Sequence, residues 1–176
     1  MSMEIVELEI ARRDWKSLRC GCGKRATHLA VDLRELALAE HEHDVRFNVS
    51  SGHVMLPSVL MEPALPVVSV ALAALADNIS VPARHQFLQT LSFILSAETQ
   101  TFELAGQGRN LVDECRMAAQ EGIWLLYREV FAGATVGASS IAFEILTSID
   151  EDLDRLKHVQ RASGAQLAPD VRSVDL

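Results

Sequence analysis

Residues 52–95 decide the fold, and they read GHVMLPSVLMEPALPVVSVALAALADNISVPARHQFLQTLSFIL. Within 64–76 the only polar side chain is Ser69, which predicts a helix that is buried on nearly all sides. After a turn at 77–80, apolar residues recur at i, i+1, i+4, i+7 and i+8 from Phe87, which predicts a second, one-sided helix. Because a buried helix beside a one-sided helix is the unit of stacked helical arrays, the stretch predicts antiparallel helix pairs.

The composition supports one helical domain. The chain has 176 residues, enough for a sizeable core, and 49% of them are hydrophobic but only 5% aromatic. Leu, Val, Ile and Ala must therefore fill the core, which favours helix-on-helix packing over a β-sandwich. The net charge of −8 argues against nucleic-acid binding, which needs Lys and Arg to meet phosphates, and it allows a basic protein partner.

Outward from the central stretch, periodicity and caps predict six or seven main helices in an all-α fold, within one domain over 1–162. Residues 4–10 fit either a short edge strand or a first helical turn, and residues 163–176 are expected to form a mobile tail. The further helices are expected over about 28–40 (capped by Thr27), 43–56, 109–131, 135–149 and from a capping box at 148–151 to Ser163, with a polar linker over 96–108. The predicted core residues are Leu72, Leu75, Phe87, Leu91, Ile94, Leu125 and Ile145.

Several short motifs carry a resemblance to a known family. They are Trp15 to Leu18, Gly23-x-x-Ala26-x-x-Leu29, Gly52-x-Val54, Pro57-Ser58, Leu65-Pro66-Val67-Val68 and Val81-Pro82-x-Arg84. Over about 15–97 the chain resembles bacterial HEAT-repeat-like proteins, although Ala30 stands where that family tends to have Pro. The resemblance implies a short α-solenoid that binds proteins. Some small members act as immunity proteins or adaptors beside secreted toxins, and the family offers no active site to carry over.

The cysteines favour a reducing compartment. Cys20, Cys22 and Cys115 form no even disulfide framework, so we expect free thiols. Glu4, Glu7 and Glu9 interrupt any signal-peptide pattern, and no run of 18 apolar residues is present. A cytoplasmic protein without membrane contact is therefore expected.

Cys20-x-Cys22 with His28, His41 and His43 raises the possibility of zinc. The spacing departs from the usual C-x₂₋₄-C, and no second cysteine pair follows. The sequence therefore predicts no metal and no cofactor, with free thiols in a loop. It also contains no Ser-His-Asp order, phosphate-binding loop or HExxH motif, so no catalytic residues are predicted.

Two groups of acidic residues stand out. Those at 150–154 are explained by helix capping and the helix dipole. The first group is either a solvated face or a docking surface for a basic partner; it comprises Asp32, Glu35, Glu40, Glu42 and Asp44. We call these five residues the acidic ridge.

The leading hypothesis is a non-enzymatic protein-binding module, in its sharper form a cytoplasmic immunity protein that occludes a toxin domain. Two alternatives stay open: an enzyme with its site in the concave helical groove, and a structural or adaptor subunit. In the groove, Trp124 and Tyr127 are candidate anchors, but their apolar neighbours favour a core position for both. The sequence leaves the oligomeric state open.

Overall fold

The computed structural model describes residues 3–45 and 52–176, and 65% of the chain is helical, which confirms the all-α class. The longer helices are α1 (Glu4–Ala11), α2 (Thr27–Leu38), α3 (Ala64–Ala76), α4 (Val81–Leu95), α6 (Leu111–Glu121), α7 (Ile123–Ala132), α8 (Val136–Ile149) and α9 (Leu153–Ser163). Shorter elements are α5 (Phe102–Gly106), α10 (Pro169–Arg172) and strands β1 (Met55–Leu56), β2 (Val59–Leu60) and β3 (Thr99–Gln100). Within the described ranges, no helix has the length and apolar character needed to cross a membrane.

The predicted central pair is confirmed, and it forms the middle of the core. α3 packs on α4, and α4 packs on α8. The Ser80 hydroxyl caps α4 by accepting the Ala83 N–H at 3.2 Å, one residue before the helix begins. The sequence places Leu29, Leu33, Leu36 and Ala37 at i, i+4, i+7 and i+8, which predicts one helix face, and these are the residues that α2 buries.

Five of the seven predicted core residues are buried: Leu75, Phe87, Leu91, Ile94 and Ile145. The prediction is wrong for Leu72 and Leu125, which are half-buried where α3 meets the junction of α6 and α7. Gly122 lies at that junction, and a Cβ there would lie only 2.5 Å from Leu72 Cδ2. A larger residue at this position would therefore have to displace the Leu72 side chain.

Three predicted segments are corrected. The single helix expected over 109–131 is two helices, because the chain turns at Gly122, which ends α6 and precedes α7. The helix expected over 43–56 is wrong where it is described: Glu42–Asp44 is one 3₁₀ turn and Met55–Leu56 is a strand, while 46–51 lie outside the described residues. The linker over 96–108 contains β3 and α5.

The three strands form a small sheet in the order β1-β2-β3. β1 pairs antiparallel with β2, placing Met55 opposite Leu60. β2 pairs parallel with β3, placing Val59 opposite Thr99. The parallel pair requires a long crossover, and the α3–α4 pair supplies it.

At the N-terminus, the helical alternative is the one observed, and α1 begins at Glu4. Its first turn is held by the Asp77 carboxylate, which accepts the backbone N–H groups of Ile5 at 3.1 Å and Val6 at 3.0 Å. These contacts satisfy two of the N–H groups that a helix start leaves free. The turn between α3 and α4 therefore also anchors α1.

Near the C-terminus, the capping box expected at 148–151 is wrong. α8 continues to Ile149, and Asp152 caps α9 by accepting the Arg155 N–H at 3.0 Å. Beyond α9, Leu167 and Val171 are buried, and Val171 belongs to α10. The mobility expected of 163–176 stays a prediction.

Candidate metal centre

Two thiols and two imidazoles converge beside the N-terminal end of α2. The group consists of Cys20, Cys22, His28 and His53, and one ligand atom from each lies within 4.8 Å of all the others. In the part of the chain that the structure describes, this is the one group of three or more Cys, His, Asp or Glu side chains close enough to share a metal ion.

The separations match a tetrahedral zinc site. Zn–S bonds of about 2.3 Å and Zn–N bonds of about 2.0–2.1 Å place tetrahedral S and N ligands about 3.5 Å apart, and two N ligands about 3.3 Å apart. Cys20 Sγ lies 3.5 Å from His28 Nε2 and 3.2 Å from His53 Nδ1. Cys22 Sγ lies 3.7 Å from His28 Nε2, and the two imidazole nitrogens are 3.1 Å apart. Four of the six edges of the cluster are therefore close to those of a Cys₂His₂ zinc tetrahedron, and the remaining two, Cys20–Cys22 and Cys22–His53, are no longer than 4.8 Å.

A tight hairpin presents the two thiols. The Cys20 N–H donates to the Lys24 carbonyl at 2.9 Å, and the Gly23 N–H donates back to the Cys20 carbonyl at 3.0 Å. Arg19 and Arg25 pair as an antiparallel bridge at its base. We call residues 19–25 the thiol hairpin, and its turn brings Cys20 and Cys22 to the same side.

Gly21 lets the thiol hairpin approach the segment that carries His53. Its N–H donates to the His53 carbonyl at 2.7 Å. A Cβ on Gly21 would lie 2.9 Å from the Gly52 carbonyl oxygen and 3.0 Å from the His53 carbonyl oxygen. Since real Cβ atoms do not come that close to backbone oxygen, any larger residue would push His53 away from the thiols.

A second hydrogen bond orients His28. Its Nδ1 lies 3.0 Å from the carbonyl oxygen of Arg25. Because a carbonyl only accepts, Nδ1 carries the proton and donates, which leaves the Nε2 lone pair directed at the cluster. Metal-binding histidines in proteins commonly make this contact with their other nitrogen.

The two thiols of the cluster lie in different electrostatic surroundings. The backbone N–H of Lys24 lowers the pKa of the Cys22 thiol, whereas burial raises the pKa of Cys20 to about 11. A metal ion displaces the proton from such a thiol, because its charge stabilises the thiolate far more than burial disfavours it. Burial also raises the pKa of Asp32, and His28 and His53 oppose that rise. One carboxylate of the acidic ridge therefore lies within electrostatic reach of the cluster.

The other residues considered for zinc lie elsewhere. His41 precedes the 3₁₀ turn and His43 lies in it. Both are exposed, and their rings stack with centroids 5.2 Å apart. The ligand missed by sequence reasoning is His53, 25 residues beyond His28. Gly21 and Gly52 were the available signal, since each precedes a ligand residue by one position.

The acidic ridge divides into two parts. Glu35, Glu40 and Glu42 are exposed, and none forms an ion pair with another described residue. Asp44 serves the backbone, because its carboxylate accepts the N–H groups of His41 at 3.0 Å and Glu40 at 3.3 Å. These bonds, with that of His41 foremost, lower the pKa of Asp44.

The two aromatic residues considered as binding anchors differ in burial. Tyr127 is buried, as predicted, and its hydroxyl contacts the Asp150 carboxylate. The core position predicted for Trp124 is wrong, since 68% of this residue is exposed. Its ring lies 5.6 Å from the Arg155 guanidinium, a cation–π distance.

Comparison of the chain with protein-family models, with curated proteins and with solved structures gave no match.

Proposed function

We propose that this protein binds one zinc ion through Cys20, Cys22, His28 and His53. The observation that carries the proposal is the approach of all four ligand atoms to within 4.8 Å of one another, with four of the six separations close to tetrahedral values. Two sulfur and two imidazole ligands in a tetrahedron favour zinc over hard cations such as Mg²⁺ and Ca²⁺. The proposal differs from the sequence-based expectation of no metal, which considered His28 together with His41 and His43 but not His53.

The proposed zinc is structural. All four tetrahedral positions are taken by protein side chains, whereas a catalytic zinc keeps one position for water or substrate. The ligands come from three separate pieces of chain: the thiol hairpin, the first turn of α2 and the segment before β1. One ion would tie these pieces together and fix the edge of the fold next to the small sheet.

Metal content and ligand substitution test this proposal. We expect untagged protein, purified without chelator, to contain one zinc per chain by elemental analysis. His53→Ala should lower the zinc content at least about tenfold, within the range seen when zinc ligands or their supports are lost. His41→Ala is the matched control, because His41 is an exposed histidine outside the cluster, and it should retain full zinc. Zinc-free wild-type protein that also fails to take up added zinc would refute the proposal.

We propose as a second function that the chain binds a basic protein partner, such as a toxin domain, on HEAT-like stacked helix pairs. Three exposed carboxylates support it, since Glu35, Glu40 and Glu42 are available to a partner. Carboxylates on one face raise the association rate of a basic protein. Asp32 and Asp44 are left out of the binding set, because one lies beside the metal centre and the other holds the 3₁₀ turn.

A partner captured from the native host tests this second proposal. The triple variant Glu35→Lys, Glu40→Lys and Glu42→Lys should bind that partner at least about tenfold more weakly, chiefly through the association rate. Glu98→Lys with Glu144→Lys is the control, since both are exposed acids outside the ridge. Equal affinity of the two variants would remove the acidic ridge as the binding surface.

A further inference from the structure

The two cysteines of the metal centre differ sharply in exposure. Cys20 is buried, with 2% of its surface exposed, whereas Cys22 lies at the exposed tip of the thiol hairpin. Cys115, the third cysteine, is buried in α6 outside the cluster. The chain therefore has one thiol open to solvent reagents, with a second thiol directly behind it.

We infer that hydrogen peroxide converts the Cys20–Cys22 pair to a disulfide and thereby releases the zinc ion. This inference rests on the proposed zinc site and adds a mode of regulation to it. Its geometric basis is a pair of thiols that share one ion, lie within 4.8 Å of each other and differ in access to solvent.

The reaction balances in two steps. The exposed Cys22 thiolate attacks one peroxide oxygen and the O–O bond breaks. Hydroxide departs, and Cys22 becomes a sulfenic acid. The Cys20 thiolate then attacks that sulfur, an S–S bond forms, and a second hydroxide leaves. The two thiolates lose two electrons in total, and the peroxide is reduced to two hydroxide ions.

The chain allows the new bond. Residues separated by one position have Cα atoms about 7 Å apart in an extended chain, and the turn closed by the Gly23 N–H on the Cys20 carbonyl shortens this towards the roughly 4.4–6.8 Å that a disulfide spans. The intervening residue is Gly21, which places no side chain between the two sulfurs. After oxidation only His28 and His53 remain as ligands, and two imidazoles hold zinc far more weakly than the full set.

Zinc release and disulfide mapping test the inference on the full-length chain loaded with zinc. Zinc content measured before oxidation tests the proposed function separately. After treatment with hydrogen peroxide, a chromogenic chelator should detect one zinc released per chain. Peptide mass mapping should show the loss of two hydrogen atoms from the peptide that contains both Cys20 and Cys22, and dithiothreitol with added zinc should restore binding.

Cys115→Ala is the control variant, and it should release zinc at the wild-type rate. In the wild type, Cys22 should be oxidised at least about tenfold faster than Cys115, because reactivity follows exposure and thiolate character. Zinc retained while peroxide oxidises other residues would overturn the inference and leave the zinc site standing. Release without a Cys20–Cys22 disulfide would also overturn it, and a zinc-free starting protein would overturn both proposals.

Discussion

The thiol hairpin and the α3–α4–α8 centre are held together in different ways. In the centre, Phe87, Leu91 and Phe143 are removed almost entirely from water, and burial of apolar surface supplies the stability. Around the metal centre, two short loops and one helix end meet through sulfur and nitrogen atoms. Residues 21–25 of the thiol hairpin are exposed or half-buried, although its neighbours Ala26 and Val54 are buried, so a bound ion would add to the order of the hairpin. One small domain thus combines an apolar core that needs no ligand with an edge that the proposed zinc ion would stabilise.

The largest effect is expected in the apolar α3–α4–α8 centre. Leu91→Ala should cost about 2–5 kcal/mol in the free energy of unfolding, because Leu91 is fully buried and its loss leaves a cavity in the core. The loss should be the same with and without added zinc, as measured by urea unfolding. Leu8→Ala is the control, since Leu8 is 68% exposed in α1. A loss below about 1 kcal/mol at Leu91 would contradict its place in the core.

An ionic cluster gives a third kind of contact to set beside the other two. Burial raises the pKa of Asp150, but hydrogen bonds from Arg155 and Tyr127 outweigh it and hold the pKa at about 2. Arg155 reaches this carboxylate at 2.8 Å through Nε and at 2.5 Å through Nη2. The bonds link the end of α8 to α7 and α9.

Asp150→Asn should therefore cost about 2 kcal/mol at pH 7, since a depressed pKa in the folded state is itself a contribution to stability. Because the folded-state pKa lies below the ordinary value, this contribution is present above about pH 4 and is lost as the pH falls towards 2. Urea unfolding at several pH values should show a weaker decline between pH 4 and 2 in the variant. Asp170→Asn, at an exposed acid, should leave that decline unchanged, and an unaltered wild-type slope in Asp150→Asn would count against the cluster.

The smallest effect is expected around the candidate metal centre. Chelation should raise amide hydrogen exchange about tenfold or more, roughly 1.4 kcal/mol, across the thiol hairpin and around His53. The amides of α4 and α8 should change least, because their protection comes from apolar packing. His53→Ala should reproduce the pattern without chelator, and His41→Ala should not. Uniform deprotection of all helices would show that the two regions are not separable.

Periodicity predicted the parts of the fold that apolar packing determines. Leu29, Leu33 and Leu36 lie on one face of α2 in the sequence pattern and in the structure, because a helix of 3.6 residues per turn must face them one way. The same reasoning was wrong for Trp124, because its apolar neighbours predicted burial and it is exposed. The chain turns at Gly122, and this turn starts a new helix whose phase places Trp124 outside.

Only part of the candidate metal centre could be predicted from the sequence. The sequence offered Cys20, Cys22 and His28 as possible ligands but predicted no metal, and the proposed fourth ligand comes from a segment for which a helix was predicted. A helix there would not have suggested a contact with the thiol hairpin. The contact depends on Gly21 N–H meeting the His53 carbonyl, a long-range backbone pairing that side-chain periodicity does not encode. The sequence grouped five acidic residues as one ridge. It did not predict that the Asp44 carboxylate accepts backbone N–H groups at the 3₁₀ turn.

The parallel pairing of β2 with β3 has a consequence for the order of folding. Val59 meets Thr99 only after the chain between them has doubled back as the α3–α4 pair. Closing that long loop costs entropy that two short strands cannot offset, so the helix pair forms first. Contacts of β3 should therefore be absent from the transition state, with φ-values near zero, while those between α3 and α4 are already in place. The small sheet closes the fold last, and substitutions in β3 should speed unfolding without slowing refolding.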